Sequence, residues 1–366
     1  MKKTAKAAVF VGANKPFEIR EYPVVEPQLG YARLSLIASG VCGTDVHIHN
    51  GKLGGGKVQI IGHEFVGEVD AIEAQDGETY GLKLGDAVIS DIACPCGECL
   101  LCKSGDDANC VNMGVTNGEN PDIGPHFHGG YCEYSFAPVK NLIKIPDGVD
   151  PKMAAVFACP GPTAIHAFSL GERSGCDLRN IKTAVVQGMG PVGTFAVAYL
   201  AAAGVENVIV VSGHIEGAKK ELVTKLGATH LFQLAGAQEG DILAQIKALS
   251  GGLGADLVFE ASGNPEAIPF GMQVLRNRGV YLVPGQYSNS GGIMIQPQMI
   301  TFKALQIIGS SQYSICDIER YVTFLAENPQ LHDTIKALAT CYPVGEVNKA
   351  FADAKARKNI KTVLTK

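Results

Sequence analysis

The sequence contains no run of about 18 uninterrupted apolar residues, the length a membrane-crossing helix needs, so a membrane-spanning protein is not expected. It also lacks a surplus of basic charge. A net charge of −5 and a pI near 6.0 leave no electrostatic footprint for nucleic acid. The opening MKKTAKAAVFVGANK has lysines, but no apolar stretch of seven or more and no cleavage site follow, so it does not read as a secretory signal. Internal repeats, low-complexity tracts and flexible linkers are missing as well. What is present is a chain of 366 residues, 46% hydrophobic and 18% charged. That is the composition of a well-packed soluble protein with room for two domains. A cytoplasmic, reducing setting is the expectation. There, clustered cysteines are more often metal ligands or catalytic groups than disulfides.

Such a cluster exists. Five of the eleven cysteines fall in CPCGECLLCKSGDDANC, residues 94–110. Within it, Cys96, Cys99, Cys102 and Cys110 are spaced C-x2-C-x2-C-x7-C. Gaps of two residues let successive thiolates turn back onto one tetrahedral ion, and a short loop delivers the fourth. Four thiolates without histidine suit a closed, structural zinc site. In a [4Fe–4S] ferredoxin repeat the fourth cysteine sits nearer and precedes a proline. Cys94 falls outside the spacing.

The first 150 residues read as short strands: AKAAVFVG, FEIREYPV, ARLSLIASG, FVGEVDAI, DAVIS, YCEYSFAP and LIKIPD, punctuated by Gly, Pro and Asp. An irregular β-barrel or sandwich follows from that pattern. Beyond about residue 160, six apolar strands mostly alternate with helices (KTAVVQ, NVIVV, HLFQL, ADLVFEASG, VYLVPG and LQIIGS), as in a doubly wound parallel sheet. Helices are expected over about 216–226, near 241–249, near 317–326, and through NPEAIPFGMQVLRNRG, capped by Asn264 with Pro265 first. NIKTVLT reads as a terminal strand.

The segment QGMGPVG places Gly188, Gly190 and Gly193 in G-x-G-x-x-G, with Pro191 and Val192 between the last two. It follows a buried strand and opens a helix, the context in which such glycines let a pyrophosphate approach the backbone and the helix N-terminus. NAD or NADP is therefore the expected cofactor. The acidic residue that normally ends the next strand is replaced by Ser212. Glu216 comes four residues later and would favour NAD. Ser212, His214 and Lys219 could instead hold a 2′-phosphate, so the lean to NAD is slight.

GVCGTDVHIHNG, IGHEFVGEV and FACPGPTAIHAF supply Cys42, His63, Glu64 and Cys159. Two thiolates and an imidazole form a three-ligand set that leaves an open position, as a catalytic zinc requires. Together with the four-cysteine lobe, HGGYCEY, GMGPVG and the terminal NIKTVLT, these segments resemble the zinc-containing medium-chain dehydrogenase/reductase family across essentially the whole chain. The resemblance implies an α/β protein made of two parts. One is a GroES-like, β-rich catalytic domain at 1–160 and 311–366, carrying the zinc lobe at 94–110. The other is a Rossmann-type nucleotide domain at 161–310.

Carried over by resemblance, Cys42, His63 and Cys159 hold the catalytic zinc, with Glu64 beside them. Asp45 orients the histidine, and Thr44 and His47 relay a proton. Lys361 lies near the pyrophosphate. Gly43 replaces a basic residue found in some alcohol dehydrogenases. The implied reaction is reversible hydride transfer between an alcohol and nicotinamide, with two zincs per chain and a homodimeric or homotetrameric assembly. A secondary alcohol or polyol, giving a ketone or aldehyde, is the implied small-molecule substrate. The alternatives are a zinc-free quinone or enoyl reductase of the same superfamily, and a nucleotide-binding zinc protein without turnover. Phe65 and Phe127 are candidates for an apolar pocket wall. His49, His126, His128 and His166 carry no such expectation.

Overall fold

The computed structural model describes residues 3–54 and 56–366. The chain forms two compact units, one of residues 1–159 and 313–366 and one of residues 160–312. Among the described residues no single helix is long and apolar enough to cross a membrane.

The first unit is built mainly on a seven-stranded sheet. Its backbone runs Ala339–Pro343, Lys361–Thr365, Tyr31–Gly40, Glu64–Ile72, Ala87–Ser90 and Leu142–Lys144, with Tyr134–Pro138 also paired to Tyr31–Gly40. Thr4–Val9 and Glu18–Pro23 form a separate antiparallel hairpin. All seven strands expected in the first 150 residues are present. The strands bury Ala, Val, Leu and Phe, and several of them, Tyr134–Pro138 throughout, are buried on both faces. Phe65 and Phe127 are 2% and 0% exposed and belong to that core, not to a pocket wall.

In the second unit six parallel strands run in the order His230–Gln233, Asn207–Ser212, Thr183–Gln187, Ala255–Glu260, Leu275–Val283 and Gln306–Gly309. By rank along the chain this order is 3-2-1-4-5-6, the doubly wound dinucleotide arrangement. The helices at Gly217–Lys225 and Glu239–Leu249 match expectation. One element differs. The helix expected through residue 279 runs only over Ala267–Val274, and Leu275 starts a strand by pairing with Ala255. Asn264 still caps the preceding turn, its side chain accepting from the Glu266 N–H at 3.2 Å. The apolar residues at 274 and 275 satisfy either periodicity, and the open edge of Ala255–Glu260 decides for a strand.

Candidate active site

Cys42 ends the loop after Tyr31–Gly40 and caps the short helix Gly43–His49. His63 and Glu64 enter the next strand, whose register sets Glu64 opposite Gly40. Cys159 closes the segment after the turn Ala155–Phe157. These three stretches bring the donor atoms of Cys42, His63, Glu64 and Cys159 to within 4.8 Å of one another.

The surroundings of the cluster are charged and dry. A hydrogen bond from Cys159 holds the Cys42 thiol well below its ordinary range, and the Cys159 thiol is pushed up in return. Burial is the largest single influence on His63 and lowers it, but the Asp45 and Cys42 charges and the hydrogen bonds to Asp45 and Cys159 together raise the imidazole well above its ordinary range. Asp45, 0% exposed, lies 3.3 Å from His63 Nδ1, accepts the Cys42 N–H at 2.9 Å and accepts the Tyr131 hydroxyl at 2.8 Å. Glu64, also fully buried, receives the Lys361 ammonium on Oε2, while its Oε1 has no hydrogen-bond partner. Burial pushes the Glu64 carboxyl up, to about 7 against the pull of Lys361.

Two thiols, an imidazole and a buried carboxylate with one unpaired oxygen are a donor set that fits zinc. Thr44 Oγ1 lies 3.7 Å from Cys42 Sγ. His47 stands three residues on in the same helix and so on the same face. Lys361 is only 2% exposed, and its charge is directed at Glu64.

Sequence reasoning missed Tyr131 as the partner of Asp45. The tyrosine lies in HGGYCEY, but nothing local ties it to a residue 86 positions away. Outer partners of metal-ligating histidines typically carry 10- to 100-fold in metal affinity. Asp45→Asn is therefore expected to weaken zinc binding by about that factor, read by competition with a chelator.

The other four cysteines also converge within 4.8 Å of one another. Backbone N–H groups surround them: Cys96 donates to Cys110 Sγ, Cys99 to Cys96 Sγ and Cys102 to Cys99 Sγ, at 3.3 to 3.5 Å. The N–H of Cys102 brings Cys99 down to about 6. Among the described residues no cysteine forms a disulfide. Cys94 stays outside the group and accepts from Asn141 Nδ2 at 3.2 Å.

In the second unit the glycine turn leads into the helix Pro191–Ala202, with Gly190 at its N-cap and Pro191 first. Gly188 has φ +95°, and a Cβ there would lie 2.7 Å from the Ser262 backbone. At Gly190 a Cβ would meet nothing within 4 Å, so the turn is open to a phosphate. Ser212 ends its strand, and Glu216 caps the helix Gly217–Lys225, exposed like His214. Lys219 lies in that helix's first turn.

Residues 29–147 match the family model described as an alcohol dehydrogenase GroES-like domain, and residues 191–327 the one described as a zinc-binding dehydrogenase. The chain belongs to the zinc-containing medium-chain dehydrogenase/reductase family. It is an oxidoreductase of the zinc-dependent alcohol dehydrogenase type, with the GroES-like and Rossmann-type architecture expected. A 5-exo-hydroxycamphor dehydrogenase from Pseudomonas putida is 28% identical over 98% of both chains. A sorbitol dehydrogenase from Halalkalibacterium halodurans is 29% identical over 95% of each. The crystal structure of an alcohol dehydrogenase from Thermotoga maritima superposes with a TM-score of 0.89, at 27% identity and 99% coverage of both chains.

Proposed function

We propose that this member of the family oxidises a secondary alcohol or polyol reversibly, with NAD as the preferred acceptor and two zinc ions per chain. The convergence of Cys42, His63, Glu64 and Cys159 is the observation that supports this reading most strongly. Bound by Cys42, His63 and Cys159, zinc would supply a Lewis acid that stabilises negative charge on a substrate oxygen.

The chain's own groups do the rest. Asp45 holds His63 in one orientation through Nδ1, and Tyr131 holds Asp45. Thr44 accepts the proton of the substrate hydroxyl and His47 passes it toward solvent. Lys361 donates to Glu64 Oε2 and draws its carboxyl down against the larger rise caused by burial. Cys96, Cys99, Cys102 and Cys110 would hold the second ion, which braces the lobe and takes no part in the reaction. Gly188, Gly190 and Gly193, with Pro191 and Val192 at the helix start, would seat the pyrophosphate. Glu216 would accept from the adenosine ribose, the feature behind the preference for NAD. A cytoplasmic homo-oligomer completes the reading, consistent with eleven cysteines outside any disulfide in a reducing compartment.

The test is zinc content of freshly purified protein, followed by a panel of alcohols with NAD and NADP. The expected result is about two zincs per chain and faster reduction of NAD than of NADP. One zinc at full activity, or no turnover of any alcohol after zinc is added back, would overturn the proposal.

A further inference from the structure

One fully buried acid in the second unit has no part in the chemistry above. Glu260 ends the strand Ala255–Glu260 and is 0% exposed. The register sets it beside Gln187, the last residue of the strand that leads into the glycine turn. Its Oε1 accepts the Ser262 N–H at 2.7 Å, the Ser262 hydroxyl at 2.5 Å and the Gly263 N–H at 3.0 Å. Its Oε2 is buried with no hydrogen-bond partner among the described residues. Gly285 packs against that oxygen, and a Cβ at 285 would collide with it.

A buried acid with a bare oxygen is a poor choice for stability alone, because an unpaired polar atom away from water costs free energy. What Glu260 achieves is to gather three donors from two adjacent residues onto one atom. The preceding residue is fixed as well, since the Ala261 N–H donates to the Gln187 carbonyl at 2.8 Å. Loop 261–263 is thereby tied to the first and fourth strands of the sheet together.

The place of that loop matters because the glycine turn is built against it. A Cβ at Gly188 would lie 2.7 Å from Ser262 Cα and 2.9 Å from the Ala261 carbonyl carbon. At Gly193 a Cβ would lie 3.4 Å from Ala261 Cβ. Packing this close passes a displacement on to its neighbour instead of absorbing it. Ser262 is exposed while Glu260 is not, so the loop is held from beneath. Without the acid, its N–H groups and hydroxyl would turn to water, and the wall of the turn would shift with them.

We propose that Glu260 is a positioning residue for the dinucleotide: by fixing loop 261–263 against Gly188 and Gly193, it holds the glycine turn open to the pyrophosphate. This rests on the dinucleotide-binding reading of the turn and deepens it.

The test is fluorescence titration with NADH and NADPH of zinc-loaded, full-length protein, which needs no turnover, beside kinetics with the matching oxidised cofactor. Glu260→Ala removes the acceptor. It should raise Kd for the tighter-binding cofactor about tenfold or more and KM in step, with kcat at saturation and zinc content within about twofold of wild type. Glu260→Gln keeps a carbonyl oxygen for the three donors and should recover most of the affinity. Should Glu260→Ala not fold, Ser262→Ala removes one donor at an exposed position and should raise Kd about threefold.

Unchanged affinity in Glu260→Ala, or in Ser262→Ala, overturns the proposal and leaves the dinucleotide reading standing. A loss shared by kcat and zinc content overturns it too, since it marks a structural role only. So does a loss that glutamine does not recover, which would assign the effect to charge. If wild type binds neither NADH nor NADPH, the dinucleotide reading falls and the proposal falls with it.

Discussion

Replacing Cys42 by serine is expected to leave a folded chain with one zinc in place of two and to cut kcat/KM at least ~10³-fold. A serine hydroxyl stays protonated near neutral pH and is a poor ligand, whereas the Cys42 thiol is already held low by Cys159 and His63. Lewis-acid stabilisation of developing charge contributes several kcal/mol, and ~4 kcal/mol at ~1.36 per tenfold gives that factor. The fold should survive because Cys42 sits at a short helix's N-cap, outside the buried core. Zinc analysis and steady-state kinetics on the same sample separate the outcomes. Activity kept after the loss of one zinc would remove the ion from the chemistry.

Much of the structure is written locally in the sequence. Seven of the nine strands described before residue 150 are visible as alternating or apolar runs, and the buried strands of the second unit are short apolar runs bounded by glycine. The cysteine and glycine motifs announce themselves by spacing, because neighbouring residues deliver the ligands to one point. What is not legible comes from pairing across the chain. Glu64 meets Lys361 across 297 positions and Asp45 meets Tyr131 across 86, and only the stacking of strands in the first unit brings them together. The strand at Leu275–Val283 is a milder case. Its first residues suit a helix equally well, and an unpaired neighbouring strand settles the matter.

The pair formed by Lys361 and Glu64 yields the largest expected effect on stability. The side chains are 1% and 0% exposed, so neither charge has water to fall back on. Gly40 leaves room for them: a Cβ there would lie 2.8 Å from Lys361 Cε. Removing one member of a buried pair strands the other, at a cost of about 3–5 kcal/mol. Lys361→Met should therefore lower the thermal midpoint of the zinc-loaded protein by roughly 10 °C. Glu64→Gln alone leaves a buried ammonium and should cost a similar amount. The double variant Glu64→Gln, Lys361→Met removes both charges at nearly constant volume and should recover most of the loss, because well-packed neutral replacements of buried pairs are often close to neutral. Midpoints for all four proteins form a double-mutant cycle. Additive losses would mean that the two charges do not depend on each other, and the arrangement of Glu64 beside the zinc ligands would then need another cause.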